Sequence, residues 1–204
     1  MENTPENRKF LTRPVKDDFV SNLVFKMVTK AGWRYQVPPE EPGTFVWIGH
    51  PHTSSWDTIL AVVGSILWDR PSFTLVKEEY DKPLLRDIMK VFRMLPIKRS
   101  VDGAKSAQEY YERMNASIIL VPEGTRKKAK GWKKGFHWFA KVNGLRIVLC
   151  HFDYENRILG WDGIVTPGDT PEETLVRCKE IYEKTNPRGK FPELASPICY
   201  YSDT

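Results

Sequence analysis

One apolar run constrains this chain more than any other. Phe45-Val46-Trp47-Ile48 is β-branched and aromatic, breaks at Gly49-His50-Pro51, and restarts as a helix-forming stretch rich in Ile, Leu, Ala and Val. A second run, Ser117–Val121 (SIILV), ends in the same manner, at Pro122-Glu123-Gly124-Thr125-Arg126 ahead of another helical pattern. Strands that open straight into helices belong in an α/β sheet, and loop side chains and helix N–H groups converge at such junctions.

The first junction holds His52-Thr-Ser-Ser-Trp-Asp57, a histidine with an aspartate five positions on. A histidine takes a proton from a hydroxyl near neutral pH, and does so best when a carboxylate fixes its other ring nitrogen. The spacing serves that purpose if the loop turns tightly into a first helical turn, because a continuous helix would splay the two side chains apart. The same residues also fit a helix cap: Ser54-Ser-Trp-Asp57 has the S-x-x-D form of a capping box, with His52 a bystander. The second junction offers a carboxylate, a glycine that lets N–H groups approach an anion, a hydroxyl and a guanidinium.

The remaining pattern completes an alternating fold. Residues 1–16 are polar and read as a disordered arm. Residues 17–35 read as an N-terminal amphipathic helix, with Phe19, Val20, Leu23, Val24, Met27, Val28 and Ala31 forming one stripe and Gly32 stopping it. That stripe suits packing on the domain; Phe25, Lys26, Lys30 and Trp33 would also suit a helix resting on a bilayer surface. The main domain spans 36–185: after the apolar helix from Trp56 come a strand at Ser72–Lys77, a helix from Pro83 with Leu84, Leu85, Ile88, Met89 and Phe92 on one side, a short apolar piece at Met94–Ile97, and a polar helix from about Asp102. An aromatic helix (WKKGFHWFAKVNG), a strand pair joined at Glu155-Asn156, and a helix opened by Thr170-Pro171 follow. Residues 186–204 form a proline-rich C-terminal tail with no order expected. The fold class is therefore α/β: a single domain with a mixed, mostly parallel sheet flanked by helices.

Bulk properties narrow the function classes. Cys150, Cys178 and Cys199 are odd in number and far apart, which speaks against a disulfide framework or zinc site and for a reducing compartment. The N-terminus MENTPENRKF has no apolar core of a signal peptide, and no stretch reaches the ~18 apolar residues of a spanning helix. A cytoplasmic location is expected, at the inner face of the membrane if the N-terminal helix binds there. Arg126, Lys127, Lys128, Lys130, Lys133, Lys134, Lys141 and Arg146 fall in one stretch with no acidic residue among them. This excess either forms a solvated helix face or attracts phosphates; without a nucleic-acid module, nucleic acid is not the expected partner. His151 and Asp153 alternate on a strand, but two ligands without a third make no metal site, and none is expected.

Both junctions, in this order and about seventy residues apart, resemble the glycerolipid acyltransferase family, which acylates glycerol phosphate and lysophosphatidic acid. The family's N-H-x-S-x-x-D block is matched by Pro51–Asp57, with Pro51 for the usual Asn, and its F-P-E-G-T-R-S block by Val121–Lys127. Trp132-Lys133-Lys134-Gly135-Phe136 is similar to the family's basic helix start. The resemblance spans about Asn22 to Glu183 and is nearest a compact bacterial subgroup lacking long membrane segments. Two blocks depart: Arg93–Arg99 keeps Arg99 but lacks the glycine, and Arg146 stands where a proline is usual, which bears on the acceptor site.

The resemblance implies an O-acyltransferase, 1-acylglycerol-3-phosphate acyltransferase-like, in phospholipid biosynthesis. His52 and Asp57 would be catalytic, and Glu123, Gly124, Thr125, Arg126, Arg99 and Lys133 would serve the acceptor phosphate, with Glu123 orienting the loop or acceptor hydroxyls. Acyl-CoA or acyl carrier protein would be the co-substrate, with no cofactor and no metal; a lysophospholipid or glycerol-phosphate would be the acceptor, with peripheral membrane contact. A weakly active lipid-surface binding module of the same fold is the alternative. His50 is expected to be a loop packing residue, and His137 to lie at the edge of the core.

Overall fold

The computed structural model describes residues 8–98 and 100–200. In chain order the elements are α1 (Phe19–Lys30), β1 (Arg34–Tyr35), β2 (Phe45–His50), α2 (Trp56–Leu67), β3 (Ser72–Lys77), α3 (Arg86–Val91), β4 (Met94–Ile97), α4 (Val101–Met114), β5 (Ser117–Leu120), α5 (Gly135–Val142), β6 (Arg146–Asp153), β7 (Ile158–Val165) and α6 (Pro171–Thr185). The strands form one seven-stranded sheet in the order β1-β7-β6-β2-β5-β3-β4. It is mostly parallel, with β7 antiparallel to β6, so the fold is a single α/β domain.

β2 sits at the middle of the sheet because its run is apolar on both faces. Val46 and Ile48 enter a core with Phe136, Phe139 and Ala140 of α5, Ala107 of α4, and Cys178 and Tyr182 of α6. Phe45 and Trp47 enter a second core on the opposite face, with Leu60 and Leu67 of α2. A strand buried on both sides must pair on both edges, or its amides are stranded without partners. Val46, Trp47 and Ile48 lie opposite Ile118, Ile119 and Leu120 of β5. The same three lie opposite Ile147, Val148 and Leu149 of β6 on the other edge. The parallel strands β5, β2 and β6 therefore deliver their C-terminal ends side by side, where open α/β sheets carry chemistry.

Both chain ends are better anchored than their composition implies. The arm is held from residue 8: the Arg8 guanidinium donates to the buried Asp162 at 3.0 Å. Its backbone also bonds to β1 and α2, Leu11 N–H to Tyr35 and Val15 N–H to Leu67. The expected stripe of α1 is split. Val24, Phe25 and Val28 pack on the core, while Phe19, Val20, Leu23 and Met27 face outward, Phe19 at 80% exposure and Met27 at 63%. Phe25, off the stripe by periodicity, packs on the second core beside Val24 and Val28.

The Pro83 helix is shorter than its pattern. A 3-10 turn at Pro83–Leu85 precedes a six-residue α3, Met89 is buried, and Leu84 and Phe92 are exposed. Gly160 marks a close approach on β7: a Cβ there would meet Gln36 Oε1 at 2.0 Å, and that same oxygen accepts the Trp161 N–H at 2.7 Å.

The C-terminal tail is ordered through residue 200 because the main domain captures its backbone. Tyr154 N–H bonds to Arg188 and Trp132 N–H to Cys199, Phe191 N–H donates to Thr53 Oγ1 at 3.2 Å, and Gly189 is packed against Thr53 and Pro51.

Candidate active site

The loop between β2 and α2 turns tightly enough to bring its two chemical residues together. His52 Nδ1 lies 3.0 Å from Asp57 Oδ2. The carboxylate reaches back over its own loop, since Oδ2 also accepts the backbone N–H groups of Thr53 and Ser54, each at 2.9 Å. The Ser54 contact ties an amide just ahead of the helix to Asp57 in the first turn of α2, whose cap residue Ser55 makes no side-chain capping bond. One carboxylate thus gathers the loop amides and holds the imidazole. Asp57 is fully buried and His52 nearly so. With Nδ1 engaged, Nε2 is the ring nitrogen left for a reactant.

The loop after β5 folds onto this one. Glu123 is 1% exposed and its Oε1 accepts the His52 backbone N–H at 2.9 Å. His50 Nδ1 contacts the same oxygen at 2.9 Å. Glu123 therefore faces the His52 loop from inside the protein. Its Oε2 has no hydrogen-bond partner among the described residues. His50 is a polar partner as well as a packing residue: its ring lies 5.3 Å from that of Trp132 and 5.2 Å from that of Tyr182.

Gly124 takes φ +63°, a left-handed conformation that glycine adopts without a Cβ clash, and its N–H closes the turn onto Val121. That turn swings Arg126 outward over the start of α2. The guanidinium contacts Ser55 Oγ and donates to Tyr80 Oη at 2.9 Å. Thr125 Oγ1 accepts from Lys127 N–H at 3.2 Å. The Lys133 backbone N–H bonds to Pro122, which ties the start of α5 to this loop, and its side chain is exposed. Arg99 lies outside the described residues.

Two contributors carry no local sequence signal. The Tyr154 phenol, in the turn after β6, donates to Asp57 Oδ1 at 2.6 Å. Burial, and then the bond to Asp57, hold its pKa well above that of an ordinary phenol. Lys190, from the C-terminal tail, lies 5.7 Å from the centre of the Trp56 ring. Position along the sheet edge was the available clue for Tyr154, since β6 ends beside β2.

The remaining histidines serve the frame. His137 Nδ1 pairs with Thr174 Oγ1 at 2.8 Å, joining α5 to α6, and burial lowers its pKa. His151 is fully buried with Asp162 2.9 Å away. Asp153 turns instead to cap the hairpin, accepting from Glu155 and Asn156. Among the described residues no group of three or more His, Cys, Asp or Glu side chains is placed to hold a metal ion.

The site can therefore deprotonate a hydroxyl at His52, with an arginine at its rim to receive an anion. Residues 39–148, more than half of the chain, match a protein-family model described as Acyltransferase. No curated protein matches the chain closely.

Proposed function

The chain belongs to the acyltransferase family, and we propose that it moves a fatty acyl group from an acyl thioester to a hydroxyl of a glycerol-phosphate-like or lysophospholipid acceptor. The observation that carries this reading is the meeting of the two loops, with His52 on Asp57 and Arg126 on the adjoining Ser55. The acceptor hydroxyl gives its proton to His52 Nε2 while Asp57 stabilises the imidazolium through Nδ1. The oxygen attacks the thioester carbonyl of acyl-CoA or acyl carrier protein, the C–S bond breaks, and the thiolate leaves with a proton returned from His52. No serine nucleophile is needed. Ser54 gives its amide to Asp57 and Ser55 contacts Arg126. Arg126 pairs with the acceptor phosphate, for which a planar guanidinium is suited.

A lipid acceptor is supported by the outward row of Phe19, Val20, Leu23 and Met27, with Lys26 and Lys30 on the same helix. In this reading α1 lies at the bilayer surface, apolar residues down. Among the described residues no helix is long and apolar enough to cross a membrane.

The test is thiol release from a panel of acyl-CoA and acyl carrier protein donors, with phosphorylated and non-phosphorylated glycerol acceptors. Release dependent on a phosphorylated acceptor is expected. Binding to anionic vesicles with no release from any donor would favour the inactive lipid-surface module. In the same panel Arg126→Ala is expected to raise KM for phosphorylated acceptors by about 10- to 100-fold, the loss of a charge-assisted pair worth about 1.5–3 kcal/mol. An equal effect on acceptors without phosphate would refute the assignment.

A further inference from the structure

The Asp57 carboxylate is shared unevenly. Oδ2 receives three donors, His52 Nδ1 and the N–H groups of Thr53 and Ser54, whereas Oδ1 accepts from the Tyr154 phenol. A fully buried carboxylate with one bare oxygen would turn about its Cβ–Cγ bond to find a donor, and each turn would break the His52 contact. Tyr154 stands where it removes that freedom.

Two contacts hold the tyrosine itself, and its protonation suits it to donate. Its backbone N–H is tied to Arg188 of the C-terminal tail, its ring meets Trp33 edge-on at 5.1 Å, and its raised pKa keeps the phenol protonated, hence a donor, across the working range. It stands outside residues 39–148, the span matched by the family model.

Resting on the acyl-transfer reading above, we propose that Tyr154 is a positioning residue for the reaction: its O–H fixes the Asp57 rotamer and, through Asp57, the orientation of His52. It does not touch substrate. It also draws electron density from the carboxylate, which tempers the stabilisation Asp57 offers the imidazolium. The charged and titratable groups around His52 are Asp57 on α2, Glu123 at its backbone, the neighbouring His50, Tyr154, Arg126 on Ser55 and Lys190 on Trp56. Phe at position 154 alters only the Tyr154 contribution to this set.

The experiment is Tyr154→Phe, which keeps the ring against Trp33. kcat is expected to fall about 10- to 100-fold, as misplacement of a base by a fraction of an ångström does, with KM for both substrates unchanged. The acid limb of the kcat/KM profile should move to higher pH, because the carboxylate that faces His52 loses a donor. In an Asp57→Asn background the same change should add less than about twofold. The downfield proton resonance of His52 Nδ1–H, observable without turnover, should shift in Tyr154→Phe. An unchanged kcat with an unmoved acid limb would overturn the proposal, as would a raised KM at constant kcat. If wild-type protein releases no thiol, or His52→Ala still does, the acyl-transfer reading fails by itself. The resonance then decides whether Tyr154 positions His52: a shift supports it and no shift overturns it.

Discussion

Replacing His52 with alanine is expected to lower acyl transfer by about 10²- to 10⁴-fold, the contribution of a positioned general base. The protein should remain folded, because the contacts that shape the loop do not pass through the imidazole. The amides of Thr53 and Ser54 still reach Asp57, and the His52 backbone N–H still reaches Glu123. One side-chain interaction is lost, so the thermal midpoint should move by a few degrees at most. The measurement is thiol release under single-turnover conditions beside a melting curve. Turnover within about tenfold of wild type would remove His52 from the mechanism.

Glu123→Ala tests the frame behind the chemistry and is expected to damage stability and activity together. Two groups lose one acceptor, the His52 backbone N–H and the His50 ring nitrogen, and both lie where water has little access. A buried donor left unpaired costs about 1–3 kcal/mol, so a loss of about 2–5 kcal/mol is expected from the urea midpoint. Activity should fall further than the folded fraction accounts for, since the His52 amide is no longer pinned. Glu123→Gln keeps an acceptor oxygen and should recover much of the stability. If Glu123→Ala unfolds at the wild-type midpoint, the two loops are held together by something else.

Much of this site was legible because its signals are local. A run apolar on both faces requires a central strand, and its abrupt end in Gly49-His50-Pro51 requires a loop at the sheet edge. His52 and Asp57 are five positions apart, so the turn alone joins them. The S-x-x-D pattern, legible as a cap, proved to be a loop tie: Asp57 holds the Ser54 amide ahead of the helix while also meeting His52. The strand pair at Glu155-Asn156 was readable for the same reason, as was the α/β class.

Local pattern does not encode what lies far along the chain. Glu123, 73 positions from His50, entered the reading of the site only through the family resemblance, and Tyr154, 97 positions from Asp57, did not enter it. The segments flanking the main domain show a related limit. Composition reports whether a segment folds on itself, whereas residues 8–16 and 186–200 are ordered by hydrogen-bonding groups supplied from elsewhere. The stripe on α1 was misdivided because helical spacing gives the breadth of an apolar face but not which part of it packs on the core.

The captured tail gives the terminus a hold on the chemistry. Thr53, between the base and its carboxylate partner, receives Phe191, and Tyr154, which grips that carboxylate, rests by its amide on Arg188. Loosening this segment would reach the His52–Asp57 loop before it reached the core. Cutting the protein to residues 39–148, the span of the family model, would keep His52 and Asp57 and discard the brace that steadies them.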